Sequence, residues 1–239
     1  LTRLSHNSFM AGTMDDFATS DLTPRAVPGF AERLATIADF LPASLRDRIV
    51  AEIEALGDTE RSYLPLHKQG GTVAYETLRT HAPAAVALYQ SAAMRNVIGR
   101  IVGLAVETTP LTDKSSCSVL FYVKPGDHIG WHYDHNFYKG RHFTVLLPLT
   151  NQGHGEGRLS SARLLVRRGG EEQMIPTPPN TLVVFEGAKV LHRVTTLAEG
   201  ERRIVLSMTY CTDPRNSRLQ EAARRVKDTA YFGLRALWG

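Results

Sequence analysis

Two cysteines and two tryptophans in 239 residues are the scarcest features of the chain. Cys117 and Cys211 are too few for a disulfide framework, which excludes the small stapled secreted scaffolds and suits a reducing compartment, by default the cytoplasm. No apolar run approaches the roughly 20 residues of a membrane span, and the opening Leu1-Thr2-Arg3-Leu4-Ser5-His6 lacks the apolar stretch of a signal peptide. Low-complexity stretches are absent too. With 43% hydrophobic residues, the chain can bury a full core as one domain over 1–239. A formal charge of +4 raises the question of a nucleic-acid partner. Lys and Arg are dispersed, however, and the densest cluster, Arg202-Arg203 with Arg193 nearby, falls beside the candidate site described next. A small molecule is therefore favoured over nucleic acid as the partner, no membrane is expected, and the sequence is silent on oligomeric state.

What is present changes character along the chain. Residues 1 to about 27 show no periodicity. Pro28 then opens a helical pattern through Phe30, Leu34, Ile37 and Phe40 to Pro42, and a second helix runs from Ala43 to Leu56, with Leu45, Ile49 and Ile53 on one stripe. Residues 63–72 read as an extended loop, with Gly70 and Gly71 permitting a bend and the segment able to act as a lid. Helices follow at 73–81 and 83–102. From Val106 the period becomes strand-like, with strands at 116–123, 128–134, 143–149, 163–167, 181–186, 192–195 and 202–211, separated by Gly and Pro turns. A last helix spans 215–236. The pattern predicts a mainly β protein with flanking helices: a double-stranded β-helix, or cupin-like jelly roll, at 106–211, helical support at 28–103 and the C-terminal helix.

Within that pattern, His132-Tyr133-Asp134 has a mechanical logic. On a strand, residues i and i+2 point to one side, so His132 and Asp134 can share an ion while Tyr133 turns away. With His192 as third ligand the set is two imidazoles and a carboxylate, the facial arrangement that leaves non-haem Fe(II) open on its other face. Strand alternation also sorts the last strand. Arg202, Ile204, Leu206 and Met208 share a face suited to packing on helices, whereas Arg203, Val205, Ser207 and Thr209 share the other, which should line the interior.

In its order of His-x-Asp, Asn180-Thr-Leu-Val-Val-Phe185, Leu191-His192 and Gly200-Glu-Arg-Arg203, the stretch 117–211 resembles the Fe(II)/2-oxoglutarate-dependent oxygenases, and their prolyl-4-hydroxylase-like branch most closely. The resemblance implies Fe(II), 2-oxoglutarate and O2 as cofactor and cosubstrates. It also implies oxidation of an unactivated C–H bond as 2-oxoglutarate becomes succinate and CO2. His132, Asp134 and His192 would hold the metal, and Tyr122 and Thr144 would line the 2-oxoglutarate pocket. Either Arg203 or Arg202 would pair with its distal carboxylate; alternation favours Arg203, and family spacing leaves Arg202 open. A narrower likeness, through Leu66-His67-Lys68-Gln69-Gly70-Gly71-Thr72 and Ser115-Ser116-Cys117-Ser118, is to stand-alone free-amino-acid hydroxylases and halogenases. It implies a free amino acid as substrate, with Ser207 and Thr209 touching it and His135, Asn136, His67 and Ser115 as further contacts. Radical halogenases of that group have Gly or Ala where Asp134 stands, so the aspartate points to hydroxylation, with desaturation and cyclisation as other outcomes. No acidic residue stands on the strand before Tyr122 where lysine-specific relatives hold a side-chain ammonium, which favours a neutral or smaller amino acid. The alternatives are an oxygenase acting on a protein side chain or nucleic acid, and a non-catalytic cupin-like binding module.

Overall fold

A computed structural model describes residue 22 and residues 26–56, 61–64, 68–216, 220 and 222–223. The strands are β1 (Leu34–Ile37), β2 (Arg61–Leu64), β3 (Lys68–Val73), β4 (Glu107–Thr108), β5 (Cys117–Tyr122), β6 (His128–His132), β7 (His142–Gln152), β8 (Leu164–Arg168), β9 (Glu171–Ile175), β10 (Leu182–Phe185), β11 (Leu191–Val194) and β12 (Arg202–Cys211). The helices are α1 (Ala43–Glu54), α2 (Tyr75–His81), α3 (Pro83–Gln90) and α4 (Ala92–Val102). The strands form one curled antiparallel sheet in the order β1-β10-β7-β12-β5-β3-β6-β11-β8-β9, with β2 added to β3 and β4 to β12. The fold is the double-stranded β-helix that the strand pattern predicts.

β12 divides the interior into two cores, as its period of two requires. Ile204, Leu206, Met208 and Tyr210 pack with the helices, while Val205 joins Tyr122, Leu146, Phe185 and Val194 inside the curl of the sheet. Helix α1 presents Leu45, Ile49 and Ile53 to the first core at intervals of one turn. The single helix expected over 83–102 is two. Ser91 is extended between them and caps α4, its Oγ accepting from the Met94 amide at 3.1 Å.

Two further expectations fail for identifiable reasons. Residues 28–42 are not a helix, because Glu32, Arg33 and Asp39 take left-handed φ values of 52°, 64° and 47°. The stretch instead supplies β1, which pairs with β10 in the register Leu34↔Phe185. Leu34 packs in the inner core and Ile37 in the helical one, so apolar residues three apart serve opposite faces of a strand and mimic a helical stripe. Residues 68–73 are a central strand between β5 and β6, not part of a loop, so the sheet draws on the chain well before Val106. The rest of the 63–72 segment read as a lid includes residues 65–67, His67 among them, which lie outside the described residues. β9 was not expected: it shows no alternation, being exposed except at Ile175, and is turned back on β8 by Gly169 and Gly170, both with positive φ. Most of the C-terminal helix expected at 215–236 lies outside the described residues.

Glu201 fixes the loop that approaches the start of β12. Its carboxylate accepts from the amides of His154, Ser161 and Ala198 and from the Ser161 hydroxyl. Burial opposes ionisation, but these donors outweigh it and hold the Glu201 carboxyl below its ordinary value. A depressed folded value means stability that is present above the unfolded value of about 4.3 and is lost as pH falls through the folded one. Urea titrations of the wild type and Glu201→Gln at successive pH values should therefore converge as the medium is acidified below about 4. A constant gap between the two curves would count against this role.

Candidate active site

The register of β6 and β11 sets His132 directly opposite His192. Their rings lie 4.1 Å apart between centroids, and Phe185 packs edge-on against His192 at 4.7 Å. In each ring Nδ1 sits 2.9 Å from a carbonyl oxygen two residues back, Gly130 for His132 and Val190 for His192. A carbonyl only accepts, so Nδ1 carries the proton and the Nε2 lone pair is left for another partner. Both Nε2 atoms face Asp134 Oδ1, at 3.6 and 3.8 Å. Ligand atoms of His132, Asp134 and His192 lie within 4.8 Å of one another, the only such group of metal-ligand side chains among the described residues.

Asp134 is placed differently from the strand expectation, because β6 ends at His132. Its amide donates to the Gly187 carbonyl at 3.0 Å, and Thr144 Oγ1 donates to its Oδ2 at 2.5 Å. Tyr133, between the two ligands, is 51% exposed and is among the residues that line the cavity beside them. Burial raises the cost of the Asp134 charge, yet the neighbouring His192 and His132 and the Thr144 hydroxyl hold the carboxyl well below the usual range. Burial lowers His192, whereas for His132 the hydrogen bond and charge of Asp134 outweigh burial and raise it.

Gly187 was not singled out from sequence. A Cβ there would sit 2.3 Å from Asp134 Oδ2 and 2.5 Å from Thr144 Oγ1, so the carboxylate occupies the space that a side chain would need. Its only sequence signal is a glycine in the turn between the strands that precede and carry His192.

Arg203 and Tyr122 face each other across β12 and β5. Arg203 is 1% exposed, and its Nη1 donates to the Ala162 carbonyl and to Thr177 Oγ1, both at 2.8 Å. Burial pulls its pKa down to about 10, which leaves it cationic at neutral pH. Arg203 Nε and the Tyr122 hydroxyl are buried with no hydrogen-bond partner among the described residues. Two orphaned polar groups on one interior face fit a dicarboxylate that would satisfy both. Arg202 points the other way, pairs with Glu54 at 3.4 Å and is 42% exposed, which settles the side on which each arginine lies.

A cavity of about 140 Å³ opens on His132 and Asp134 and is also lined by Ser115, His135, Ser207 and Thr209. Thr144 lines it as well, with its hydroxyl engaged by Asp134. Asn136 does not: its amide group bonds the Gly140 carbonyl and the Tyr138 amide within its own loop. Sequence reasoning missed Lys68, Asp113 and His142 as lining groups. An acidic residue is thus present, in the loop before β5 and not on the strand where it was sought. His128 bonds only its own turn, through Gly126 O at 2.7 Å, in line with an ordinary structural histidine.

A jelly roll with a His-Asp-His cluster beside a buried arginine and tyrosine is the architecture of a 2-oxoglutarate- and Fe(II)-dependent oxygenase. A model of the 2OG-Fe(II) oxygenase superfamily matches residues 117–210, and one described as Halogenase D matches residues 22–153, more than half of the chain. The chain belongs to the Halogenase D family, within the 2OG-Fe(II) oxygenase superfamily. It is an oxygenase enzyme that uses Fe(II), 2-oxoglutarate and O2. No curated protein sequence matches it. Among solved structures it is similar to a prolyl hydroxylase from Trichoplax adhaerens in complex with a hypoxia inducible factor peptide fragment, at 18% identity and a TM-score of 0.60, covering 81% of this chain and 87% of that one. An oxidoreductase of the 2OG-Fe(II) oxygenase family from Burkholderia pseudomallei aligns at 18% identity and a TM-score of 0.57, covering 87% and 95%. The α-ketoglutarate-dependent epimerase SnoN from nogalamycin biosynthesis aligns at 12% and 0.61, covering 81% and 80%. These likenesses establish the fold. Among the described residues, no helix is long and apolar enough to cross a membrane.

Gly187→Ala should abolish stoichiometric Fe(II) binding, read by anaerobic metal titration, while the circular dichroism spectrum stays that of the wild type. Wild-type metal affinity in this variant would show that the close approach to Asp134 is not needed.

Proposed function

We propose that this enzyme oxidises an unactivated C–H bond of a free amino acid or similarly small molecule, with hydroxylation as the outcome. The observation that carries the reading is the cavity of about 140 Å³ that opens on His132 and Asp134 and is lined largely by hydroxyls, imidazoles and single charges. An apolar cavity of about 150 Å³ holds a molecule of benzene's bulk, a scale that suits a small metabolite better than a peptide segment or a nucleotide. Ser115, His135, Ser207 and Thr209 supply its polar contacts.

His132, Asp134 and His192 would hold Fe(II) through Nε2, a carboxylate oxygen and Nε2. Thr144 fixes the carboxylate and the Gly130 and Val190 carbonyls fix the rings. Arg203 would take the distal carboxylate of 2-oxoglutarate, since its planar fork matches that group and stays charged, and the Tyr122 hydroxyl would donate to the same end. Bound iron supplies the oxidising chemistry, with O2 and 2-oxoglutarate consumed as succinate and CO2 are released. The protein's own work is to orient the cosubstrate, exclude water from Arg203 and present one C–H bond. Although the family is named for a halogenase, a carboxylate stands where a halide would bind, so we assign oxygen insertion. Cys117 and Cys211, buried and unbridged, fit a reducing compartment, the cytoplasm.

The reading predicts succinate release that requires Fe(II), O2 and one or a few members of an amino-acid panel. Arg203→Leu should raise the KM for 2-oxoglutarate at least about tenfold, the loss of one buried charge-assisted contact, with Fe(II) binding retained. Failure of every amino acid to stimulate succinate release would sink the substrate assignment.

A further inference from the structure

The turn that supplies Gly187 is anchored by a buried charge. Glu186, the residue after β10, is 5% exposed, and its two carboxylate oxygens accept from Arg141 Nε at 3.1 Å and Nη2 at 2.8 Å. Arg33 Nη1 approaches the same carboxylate at 3.5 Å, and the Glu186 amide donates to the Arg33 carbonyl at 3.1 Å. Glu186 directly precedes Gly187, and Arg141 directly precedes β7. The β7–β10 ladder ends at the pair Thr144↔Phe185. Past that pair, the side-chain link sets the separation of the two segments that hold Asp134. One segment carries Gly187, whose carbonyl accepts from the Asp134 amide and whose missing side chain leaves room for Oδ2. The other leads within three residues to Thr144, whose hydroxyl donates to that same oxygen. A buried carboxylate is costly unless its pairing geometry is good, and a guanidinium fork fixes distance and angle together.

We propose that Glu186 is a positioning residue for the metal centre: paired with Arg141, it holds the Gly187 turn against β7 and so fixes the orientation of the Asp134 carboxylate. It touches neither metal nor substrate and acts only through Gly187 and Thr144. The inference rests on His132, Asp134 and His192 as the metal ligands and is independent of which substrate is oxidised. Groups that orient a ligand in this way contribute to metal affinity without contacting the ion.

The test is an anaerobic Fe(II) titration of the wild type, Glu186→Gln, Arg141→Met, Arg141→Lys and the double variant Glu186→Gln/Arg141→Met. Visible absorption of bound Co(II) reads the coordination geometry alongside. Both Glu186→Gln and Arg141→Met should weaken Fe(II) binding at least about tenfold, the low end for groups that orient metal ligands, and alter the Co(II) spectrum. The double variant should lose little more than either single one, since the two side chains act as a unit. Arg141→Lys, which keeps the charge without the fork, should recover part of the affinity. Glu201→Gln breaks a hydrogen-bonded carboxylate in another loop, and should keep the wild-type metal affinity and spectrum. Wild-type affinity and spectrum in Glu186→Gln and Arg141→Met, whatever their melting temperatures, would overturn the proposal and leave the pair a structural one. An equal loss in Glu201→Gln would overturn it too, as a general effect of destabilisation. Should Glu186→Gln fail to fold, the Arg141 variants decide alone, because that side chain is 43% exposed. Wild-type affinity in His132→Ala would refute the ligand set and the proposal together.

Discussion

The pairing of β6 with β11 is the constraint on which the site depends, because it puts His132 and His192 on directly opposed positions of adjacent strands. Everything nearby serves that pair. The Gly130 and Val190 carbonyls choose which ring nitrogen is protonated, Phe185 backs one ring, and the absence of a side chain at Gly187 lets the Asp134 carboxylate complete the cluster. The outer surface of the same strands is stiffened as well. Arg167 and Arg193 lie over the Trp131 ring at 4.8 and 4.7 Å, and Glu172 bridges the two guanidinium groups. Strand residues that alternate with the histidines thus pin the strands from outside while the histidines meet inside.

A second constraint is the sidedness of β12. Its apolar alternate residues seal against the helices, and the other face carries Arg203, Val205, Ser207 and Thr209 inward. The buried guanidinium is costly to desolvate, and among the described residues its Nε has no hydrogen-bond partner, nor has the hydroxyl of Tyr122 on the adjacent strand. That deficit is informative about function, since a dicarboxylate bonded to both groups would relieve it.

How much of this was legible in the sequence depended on whether a residue's role was periodic. The inward set on β12 follows from alternation alone, and the side on which Arg203 lies came from it directly; the His-x-Asp spacing was read correctly as a ligand pair, although Asp134 lies just past the end of β6. Residues 34–37 and 68–73 misled because β1 is apolar on both faces and β3 is a short, glycine-bearing strand whose partners lie far along the chain. Asp113, Lys68 and Gly187 were invisible for a related reason. Each reaches the site from a loop or distant strand, so its part is set by long-range pairing and by the volume left beside Asp134, neither of which a local pattern encodes. The strand before Tyr122 carries no acidic residue, as read, but Asp113 reaches the cavity from the loop ahead of it.

The account's central claim is that Asp134 completes the metal cluster and directs the enzyme to insert oxygen, in a family named for a halogenase. The most direct measurement is the mass of the product formed from a turned-over amino acid under isotopically heavy dioxygen in buffer rich in chloride and bromide. The account predicts a gain of one heavy oxygen atom and no halogen isotope pattern; a chlorinated or brominated product would contradict it.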